Sequence, residues 1–406
     1  MYELQGVIRD YAWGDHRAIA ELLGHAPPGH PEAEYWMGAH TSAPSVAVGP
    51  SGGGALDKLV DQDPVGMLGP PVCERFAKLP FLLKILAAEQ PLSIQAHPSL
   101  AQAAAGFARE NQAGIEISAA NRSYRDDNHK PELICALTPF EAKCGFRSVA
   151  ESVRLIELLD AEALAPLAKR LTVSEPDDAL LAATIAWLLR LPAAEAAAMA
   201  TGAVDAARSA SAAVLAEFAA EVRWTVLLGE SFPGDVGILV ALLLNHVSLQ
   251  PGEAIFLEAG NMHSYLHGVG VELMANSDNV LRGGLTPKHI DVEELLDVVD
   301  YQPSMPPVQR AEAAVYRFDV PVPEFGLTRV DSTVAPLGQL SFDVVGPEII
   351  LVTAGAVTLK GEAGMLQLSA GSVGFVAHAD NSYQLIDDAP GETVAWRATV
   401  GTSFES

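Results

Sequence analysis

The segment PGEAIFLEAGNMHSYLHG spans residues 251–268 and decides the fold class. The turn signal Pro251-Gly252 precedes a short apolar run, and a second turn signal, Ala259-Gly260, ends that run. His263 follows after two further residues. The spacing predicts a strand that ends in a glycine turn and delivers a histidine, although the same pattern by itself also fits a plain hairpin.

This rhythm matches the second motif of cupin barrels, in which such a histidine binds a metal ion. The match is partial, because Glu258 occupies the position that is usually Pro. A second segment, SIQAHPS at residues 93–99, places Gln95 and His97 two residues apart, so that on a strand both side chains share one face. Pro98 cannot continue a central ladder, which predicts that this pair lies near a strand end.

A third segment, DNHKPELICAL at residues 127–137, places Glu132 at the head of an apolar strand. Gln95, His97, Glu132 and His263 together offer two nitrogen and two oxygen ligands, a set that suits Zn²⁺ and leaves a position for water or substrate. Taken singly, His97 is explained as well by an ordinary strand-end position, and Glu132 by an ion pair with Lys130 or Arg125.

Charge and cysteine content exclude several classes of protein. The chain has 406 residues, with 25 Lys plus Arg against 51 Asp plus Glu, a net charge of −26. Such a chain repels nucleic acid and anionic membrane, so neither is expected as a partner. The three cysteines form no C-x-x-C pair. The chain starts with acidic residues, and its longest apolar run, Ala179–Leu189, is too short to span a bilayer, so we predict no export or membrane segment. We expect a cytoplasmic protein.

Residue composition divides the chain into segments of three kinds. Residues 1–148 and 246–305 have short strand-like runs, residues 149–245 are rich in Ala and Leu, and residues 306–406 are again strand-like. We predict a mainly β protein, with a cupin-type (jelly-roll) β body, an inserted α-helical domain at 149–245 and a C-terminal cupin-like β domain. In the helical part, Ser174 before DDALLAATIAWLLRL predicts a helix N-cap. In the C-terminal domain Ser382 occupies the metal-histidine position, so we predict that this domain is metal-free.

Further segments extend the match to a known family. These are YAWG (11–14), EYWMGAH (34–40), PFLLKILAAEQPLSIQAHP (80–98), NHKPE (128–132) and VELMANSDNVLRGGLTPKHIDVEELL (271–296). Together they closely resemble the type I mannose-6-phosphate isomerase family, densely over about 1–148 and 234–300. Departures such as Ser264 in place of Ala and Tyr35 in place of Leu fall on no expected ligand.

The resemblance implies one Zn²⁺ per chain, held by Gln95, His97, Glu132 and His263, and a catalytic role for Arg282 in the LRGGLT motif. It also implies a reaction. A proton moves between C1 and C2 of a six-carbon sugar phosphate through an enediol, which interconverts mannose 6-phosphate and fructose 6-phosphate.

The substrate phosphate and the enediolate need positive charge. Arg282 offers a planar fork for their oxygens, and Lys84, Lys130 and Lys288 are further candidates. Lys288 is explained equally well as decoration of a helix that begins near His289.

Proton transfer has two candidates. Lys130 lies two residues before a ligand and can face the same cavity, and Glu272 lies on a strand-like segment soon after His263. We prefer Lys130 slightly, because its backbone is tied to Glu132. Trp13 and Tyr265 are expected to line the sugar pocket, although aromatic residues equally often serve packing.

Two rival functions stay open. A cupin iron oxygenase would use two histidines and one carboxylate, but it would not need Gln95 or the cations. A non-catalytic sugar-phosphate-binding cupin would bind substrate without exchange of the C2 proton. The sequence favours a monomer, and it does not distinguish an enzyme of glycolysis from one of GDP-mannose biosynthesis.

Overall fold

The structure, a computed structural model, describes residues 1–49, 52–362 and 364–404. In this part of the chain most elements are strands, and the α-helices are concentrated between two of them. The prediction of a mainly β protein with an α-helical segment is therefore confirmed.

The first 146 residues alternate strands with short helices. The strands are β1 (Tyr2–Gln5), β2 (Val7–Arg9), β3 (Glu34–Gly38), β4 (Val46–Gly49), β5 (Gly52–Ala55), β6 (Phe81–Ala88), β7 (Ile94–Ala96), β8 (Glu132–Ala136) and β9 (Phe140–Phe146). The helices are α1 (Ala18–Leu23), α2 (Leu56–Gln62), α3 (Pro64–Leu68), α4 (Pro70–Phe76) and α5 (Leu100–Gln112).

The next segment is helical. It contains α6 (Val149–Leu159), a 3₁₀ turn (Glu162–Leu164), α7 (Ala165–Leu171), α8 (Asp177–Leu189), α9 (Ala193–Arg208), α10 (Ala212–Ser231) and α11 (Gly237–Leu242). The prediction that Ser174 caps α8 was wrong. Pro176 occupies the N-cap, and Asp177 and Asp178 lie in the first turn, where acidic side chains are favoured by the helix dipole.

The remaining elements are again mostly strands. They are β10 (Leu244–Leu249), β11 (Glu253–Leu257), β12 (His263–Ala275), β13 (Leu281–Gly284), α12 (Val292–Val298), β14 (Gln309–Arg310), β15 (Val315–Arg317), β16 (Gly326–Asp331), β17 (Leu340–Asp343), β18 (Glu348–Ala354), β19 (Ala356–Gly361), β20 (Gly364–Ser369), β21 (Val373–Val376), β22 (Ser382–Asp387) and β23 (Val394–Thr399), with 3₁₀ turns at His378–Asp380 and Thr402–Phe404.

An eleven-stranded sheet carries the predicted motifs. Its main path is β14-β11-β8-β12-β6-β3-β2, and β7, β9, β10 and β13 join it around β12. The predicted strand, glycine turn and histidine are β11, Gly260 with a φ of 79°, and His263 as the first residue of β12. A left-handed φ of this kind is the reason that the turn needs a glycine.

Strand β6 shows how the sheet separates core from site. All eight of its residues are buried. Phe81, Leu83, Ile85 and Ala87 pack in the core shared with the eight-stranded sheet, and the alternate residues, including Lys84, face the other side. The period of two therefore places a lysine inside the barrel without breaking the apolar layer behind it.

The helical segment interrupts a pair of neighbouring strands. β9 and β10 pair antiparallel, with Val247 opposite Ala142, and the chain from Val149 to Leu242 leaves and returns between them. This connection supports our proposal that residues 149–245 are an insertion into the β body. No single helix in the described residues is long and apolar enough to cross a membrane. The bent pair α8 and α9 reaches the required length and composition only together, across a 114° bend.

The C-terminal strands form two further sheets. One has eight strands in the order β15-β16-β23-β18-β21-β1-β4-β5, and the other has four in the order β17-β22-β19-β20. Strands from the start of the chain thus complete a sheet of the C-terminal part, with Glu3 opposite Gly374. Ser382 is the first residue of β22. We keep the boundary at residue 306 as a proposal.

Candidate active site

His97, Glu132 and His263 form a compact buried cluster. Each offers a ligand atom, and these atoms lie within 4.8 Å of one another. Nε2 of His97 is 3.4 Å from Oε1 of Glu132, and Nε2 of His263 is 3.4 Å from Oε2 of the same carboxylate. All three residues are 1% exposed. Two ligand atoms at about 2.0–2.1 Å from a tetrahedral ion are separated by about 3.4 Å, so the spacing fits a metal ion such as Zn²⁺.

Hydrogen bonds fix the orientation of both imidazoles. Nδ1 of His97 donates to the carbonyl of Asn279 at 2.8 Å, and Nδ1 of His263 donates to the carbonyl of Asn261 at 3.0 Å. These bonds leave each Nε2 with a free lone pair. Both Nε2 atoms and Oε2 of Glu132 are buried without a hydrogen-bond partner. Buried polar atoms are almost always satisfied, and a bound metal ion would satisfy all three.

The electrostatics keep the cluster in its metal-binding protonation state. Burial, reinforced by the charge of Lys130, lowers the pKa of His97 to about 4. Burial alone would raise the pKa of Glu132, but Lys130 and His97 outweigh it and hold the pKa well below its usual range. Nζ of Lys130 lies 2.8 Å from Oε1 of Glu132. At neutral pH the cluster therefore contains a neutral His97 and an ionised carboxylate.

Gln95 lies beside this cluster. It is the central residue of β7, and its Cα neighbours are His263 on β12 and Arg282 on β13. Its side chain lines the same cavity as Glu132. The fold thus brings together all four residues that the sequence predicted as ligands.

A cavity of about 900 Å³ opens in front of the cluster. Nine of the predicted site residues line it, and His97 and His263 lie behind Glu132. The nine are Trp13, Lys84, Gln95, Lys130, Glu132, Tyr265, Glu272, Arg282 and Lys288. The cavity is large enough for a sugar phosphate and has polar groups on several walls.

One wall is a row of side chains across three strands. Trp36 on β3, Lys84 on β6 and Glu272 on β12 are direct cross-strand neighbours. Nζ of Lys84 is 3.0 Å from Oε2 of Glu272 and 3.5 Å from Oε1 of Glu34. Burial would lower the pKa of Lys84, but the two carboxylates raise it, so the ammonium stays charged. Glu34 is fixed in turn by the indole N–H of Trp36 at 2.7 Å.

Glu272 is a weaker acid than an ordinary glutamate. Burial raises its pKa, although Lys84 opposes the shift. The group is 2% exposed and holds the lysine across the strand pair. Its position allows it either to orient Lys84 or to exchange a proton with a bound molecule.

A second group of side chains that line the cavity is cationic and consists of Arg125, Arg282 and Lys288. Burial and the charge of Arg125 lower the pKa of Arg282, and burial, Arg282 and Arg125 lower that of Lys288. In the part of the chain that the structure describes, no carboxylate forms an ion pair with any of these three side chains. An unneutralised group of cations in so acidic a protein fits an anionic ligand.

The two predicted aromatic residues differ in their roles. Trp13 is half-buried at the cavity and stacks on Tyr11 with ring centroids 5.7 Å apart. Tyr265 is 1% exposed and packs edge-on against Phe140. Both residues line the cavity, but Tyr265 is also part of the hydrophobic core. Tyr265 therefore serves packing as well as lining the pocket.

Sequence reasoning missed several residues of the site. Glu34, Trp36, Arg125 and Asp278 line the cavity, and none was predicted. Asn279, also unassigned, donates from its amide to the carbonyls of Asp126 and Asn128, and its own carbonyl holds His97. Alternation along EYWMGAH would have indicated that Glu34 and Trp36 share a face. The pairing between distant strands, which puts that face beside Lys84, has no local signal.

Comparisons with known proteins identify the family of this chain. A family model described as the catalytic domain of type I phosphomannose isomerase matches residues 1–149. The mannose-6-phosphate isomerase of Escherichia coli is 39% identical over 386 residues, which cover 93% of this chain and 95% of that protein. The enzyme of the same name from Schizosaccharomyces pombe is 33% identical over 428 residues, covering 97% and 98%.

Solved structures are similar over the whole chain. A mutant of phosphomannose isomerase from Salmonella typhimurium has a TM-score of 0.88 at 35% identity and covers 98% of this chain and 99% of that one. A zinc-bound mannose 6-phosphate isomerase has a TM-score of 0.87 at 36% identity, covering 97% and 98%. These neighbours confirm the predicted cupin-type fold. The chain therefore belongs to the type I mannose-6-phosphate isomerase family.

Proposed function

We propose that this protein is a zinc-dependent aldose–ketose isomerase that interconverts mannose 6-phosphate and fructose 6-phosphate. The observation that carries the proposal is the pair of buried, unpartnered Nε2 atoms of His97 and His263 facing Glu132, at the end of a cavity with a cationic side. The family to which the chain belongs carries this activity in the names of its members.

One Zn²⁺ would be held by Gln95, His97, Glu132 and His263. When bound, it would act as a Lewis acid that polarises the substrate oxygens next to the reacting carbons. The carbonyls of Asn279 and Asn261 keep the two imidazoles in the tautomer that such an ion needs.

The phosphate would bind at the cationic side of the cavity. Arg282 presents a planar fork that suits phosphate or enediolate oxygens, and Lys288 and Arg125 add charge at the exposed rim. Burial of Arg282 lowers its pKa because the charged guanidinium is partly removed from water. In these less polar surroundings an anion is attracted more strongly by Arg282 than by an exposed arginine.

We assign the proton transfer between C1 and C2 to Lys130 and a positioning role to Glu272. Lys130 lies next to the proposed metal position, and a bound Zn²⁺ would compensate the charge of Glu132 that holds Lys130 at 2.8 Å, whereas Glu272 would stay engaged by Lys84 at 3.0 Å. Lys84 would then donate to a substrate oxygen from a fixed position. Trp13 and Tyr265 would close the sugar pocket and exclude water, which strengthens each of these electrostatic contacts.

We also propose a cellular location and an oligomeric state. Cys73, Cys135 and Cys144 are free thiols, which fits a cytoplasmic location. We further propose a monomer that acts on a small sugar phosphate and needs no macromolecular partner.

The test is a coupled assay for interconversion of the two sugar phosphates, with and without a metal chelator. We expect turnover that chelation abolishes and added Zn²⁺ restores. Iron with oxygen uptake would favour the oxygenase instead. Binding without exchange of the substrate C2 proton with solvent would favour a non-catalytic sugar-phosphate-binding cupin.

A further inference from the structure

A second cluster of charged groups lies on the other face of the sheet that holds the metal centre, with Lys143 and Arg147 buried and Arg223 exposed at its edge. Its members come from β9, β10, the start of the helical segment and α10, and we call it the β9–α10 cluster. The members are Glu141, Lys143, Arg147, Glu221, Arg223 and His246. Lys143 and His246 are direct cross-strand neighbours, so their side chains leave the sheet side by side.

Two cationic groups of the β9–α10 cluster, Lys143 and Arg147, have N–H donors without an acceptor. Lys143 is 2% exposed, and in the described residues its ammonium makes no hydrogen bond or ion pair. Nη1 of Arg147 is also buried without a hydrogen-bond partner, whereas Nε2 of His246 lies 3.5 Å from Oε2 of Glu141. Leaving a buried donor unsatisfied costs about 1–3 kcal/mol, and more for a charged group. Two such groups in one cluster indicate that an acceptor binds there.

The two carboxylates of the cluster are bonded to other donors and lie too far from Lys143 to fill this role. Glu141 accepts from the guanidinium of Arg223 and from the indole of Trp224. Glu221 accepts from Nη2 of Arg147 at 2.7 Å. Neither carboxylate is within hydrogen-bonding distance of the Lys143 ammonium in the described residues.

The charges of the cluster add up to an excess of one positive charge when Lys143 is protonated. Lys143, Arg147 and Arg223 contribute three positive charges, and Glu141 and Glu221 contribute two negative ones. Burial, reinforced by Arg147, lowers the pKa of Lys143 to about 7. Burial and Lys143 also lower the pKa of His246, which is therefore neutral at neutral pH. One monovalent anion would restore neutrality and supply the missing acceptor.

We propose that Lys143, Arg147 and His246 form a buried binding site for one small inorganic anion of the size of chloride. The exposed fraction of the side chain is 4% for Arg147 and 11% for His246, so the occupant is small. The site connects β9, whose Cys144 is the cross-strand neighbour of His263, to α10 of the helical segment. The anion would thus hold the helical segment against the metal-bearing sheet.

The direct test is diffraction from crystals of the wild-type chain soaked in sodium bromide. We expect an anomalous peak within hydrogen-bonding distance of Nζ of Lys143 and Nη1 of Arg147. A site that holds only water, or nothing, in crystals that show bromide elsewhere would overturn the proposal. This measurement needs no variant and does not depend on the isomerase activity.

A solution test compares thermal unfolding in sodium chloride and in sodium gluconate at equal ionic strength and about pH 6. Chloride should raise the melting temperature by roughly 2 °C or more, because a ligand that binds only the folded state stabilises it. The increment should shrink at about pH 8.5, where Lys143 is neutral. Lys143→Met should lose the increment, whereas Lys360→Met, at an exposed lysine of β19, should keep it. Equal melting temperatures in the two salts, or an increment that survives in Lys143→Met, would refute the site.

Discussion

The ammonium nitrogen of Lys130 lies 2.8 Å from Oε1 of Glu132, the carboxylate that faces both histidines of the candidate metal centre. Both residues are buried, Glu132 at 1% and Lys130 at 9% exposure. Breaking a buried ion pair by removing one partner typically costs about 3–5 kcal/mol, because the other charge stays buried. A bound Zn²⁺ would also compensate Glu132, so the loss of Lys130 should destabilise the metal-free protein more than the zinc-loaded one.

His263→Ala should abolish zinc binding and turnover together. The variant removes one of the two unpartnered imidazole nitrogens from the metal centre. Removing a residue that only hydrogen-bonds to a metal ligand typically lowers metal affinity or activity roughly 10- to 100-fold. Removing the ligand itself should therefore lower activity at least roughly 100-fold. The measurements are metal content per chain and initial rate. His267→Ala, at an exposed position of the same strand, serves as the control. Stoichiometric zinc and a near-normal rate in His263→Ala would place the metal elsewhere.

Arg282→Lys should lower kcat/KM for mannose 6-phosphate by roughly 10- to 100-fold. The substitution keeps a positive charge but loses the planar fork, and a charge-assisted hydrogen bond is worth about 1.5–3 kcal/mol. Arg208→Lys, at an exposed position at the end of α9, provides the matched control. Steady-state kinetics should separate the two variants, and an unchanged rate in Arg282→Lys would remove this residue from the reaction.

The metal-free protein should lose stability as the pH falls from about 6.5 towards 4. The pKa of His97 is lowered to about 4 in the folded state, mainly by burial, against an ordinary value near 6.5 in the unfolded chain. Between these values the unfolded chain binds the extra proton, so acidification favours unfolding by up to about 3 kcal/mol. Urea unfolding of chelator-treated protein near pH 6.5 and 4.5 measures the difference. The difference in stability between the two pH values should be smaller in His97→Gln and unchanged in His267→Gln. A flat wild-type profile would contradict the assignment.

Local patterns were sufficient for the parts of the site that lie within one strand or turn. Gln95 and His97 share one short segment, and the turn at Gly260 precedes His263, so spacing predicted the strand and the glycine turn, whereas the choice of ligands also needed the family resemblance. The strand and helix textures also located the helical segment, because period-two and Ala-rich patterns are properties of each segment.

What could not be predicted depends on register between distant strands. Glu34 contacts Lys84 only because β3 pairs with β6, and Lys84 meets Glu272 only because β6 pairs with β12. A shift of one residue in either pairing would move Lys84 to the opposite face of the sheet. The joining of β1 to β21 is likewise a pairing of segments some 370 residues apart, which no local pattern specifies.

Lys130→Ala should abolish exchange of the substrate C2 proton with solvent, whereas Glu272→Gln should retain exchange at a reduced rate. Lys130 lies beside the ligand Glu132, and Glu272 acts through Lys84, which the amide of Gln still reaches but no longer neutralises. Each variant is first checked for zinc content and then incubated with substrate in deuterated water, where NMR follows loss of the C2 proton signal. Lys58→Ala, at an exposed lysine of α2, controls for loss of a positive charge in an acidic protein. If exchange is lost in Glu272→Gln and survives in Lys130→Ala, Glu272 is the base and Lys130 serves to hold Glu132 in place.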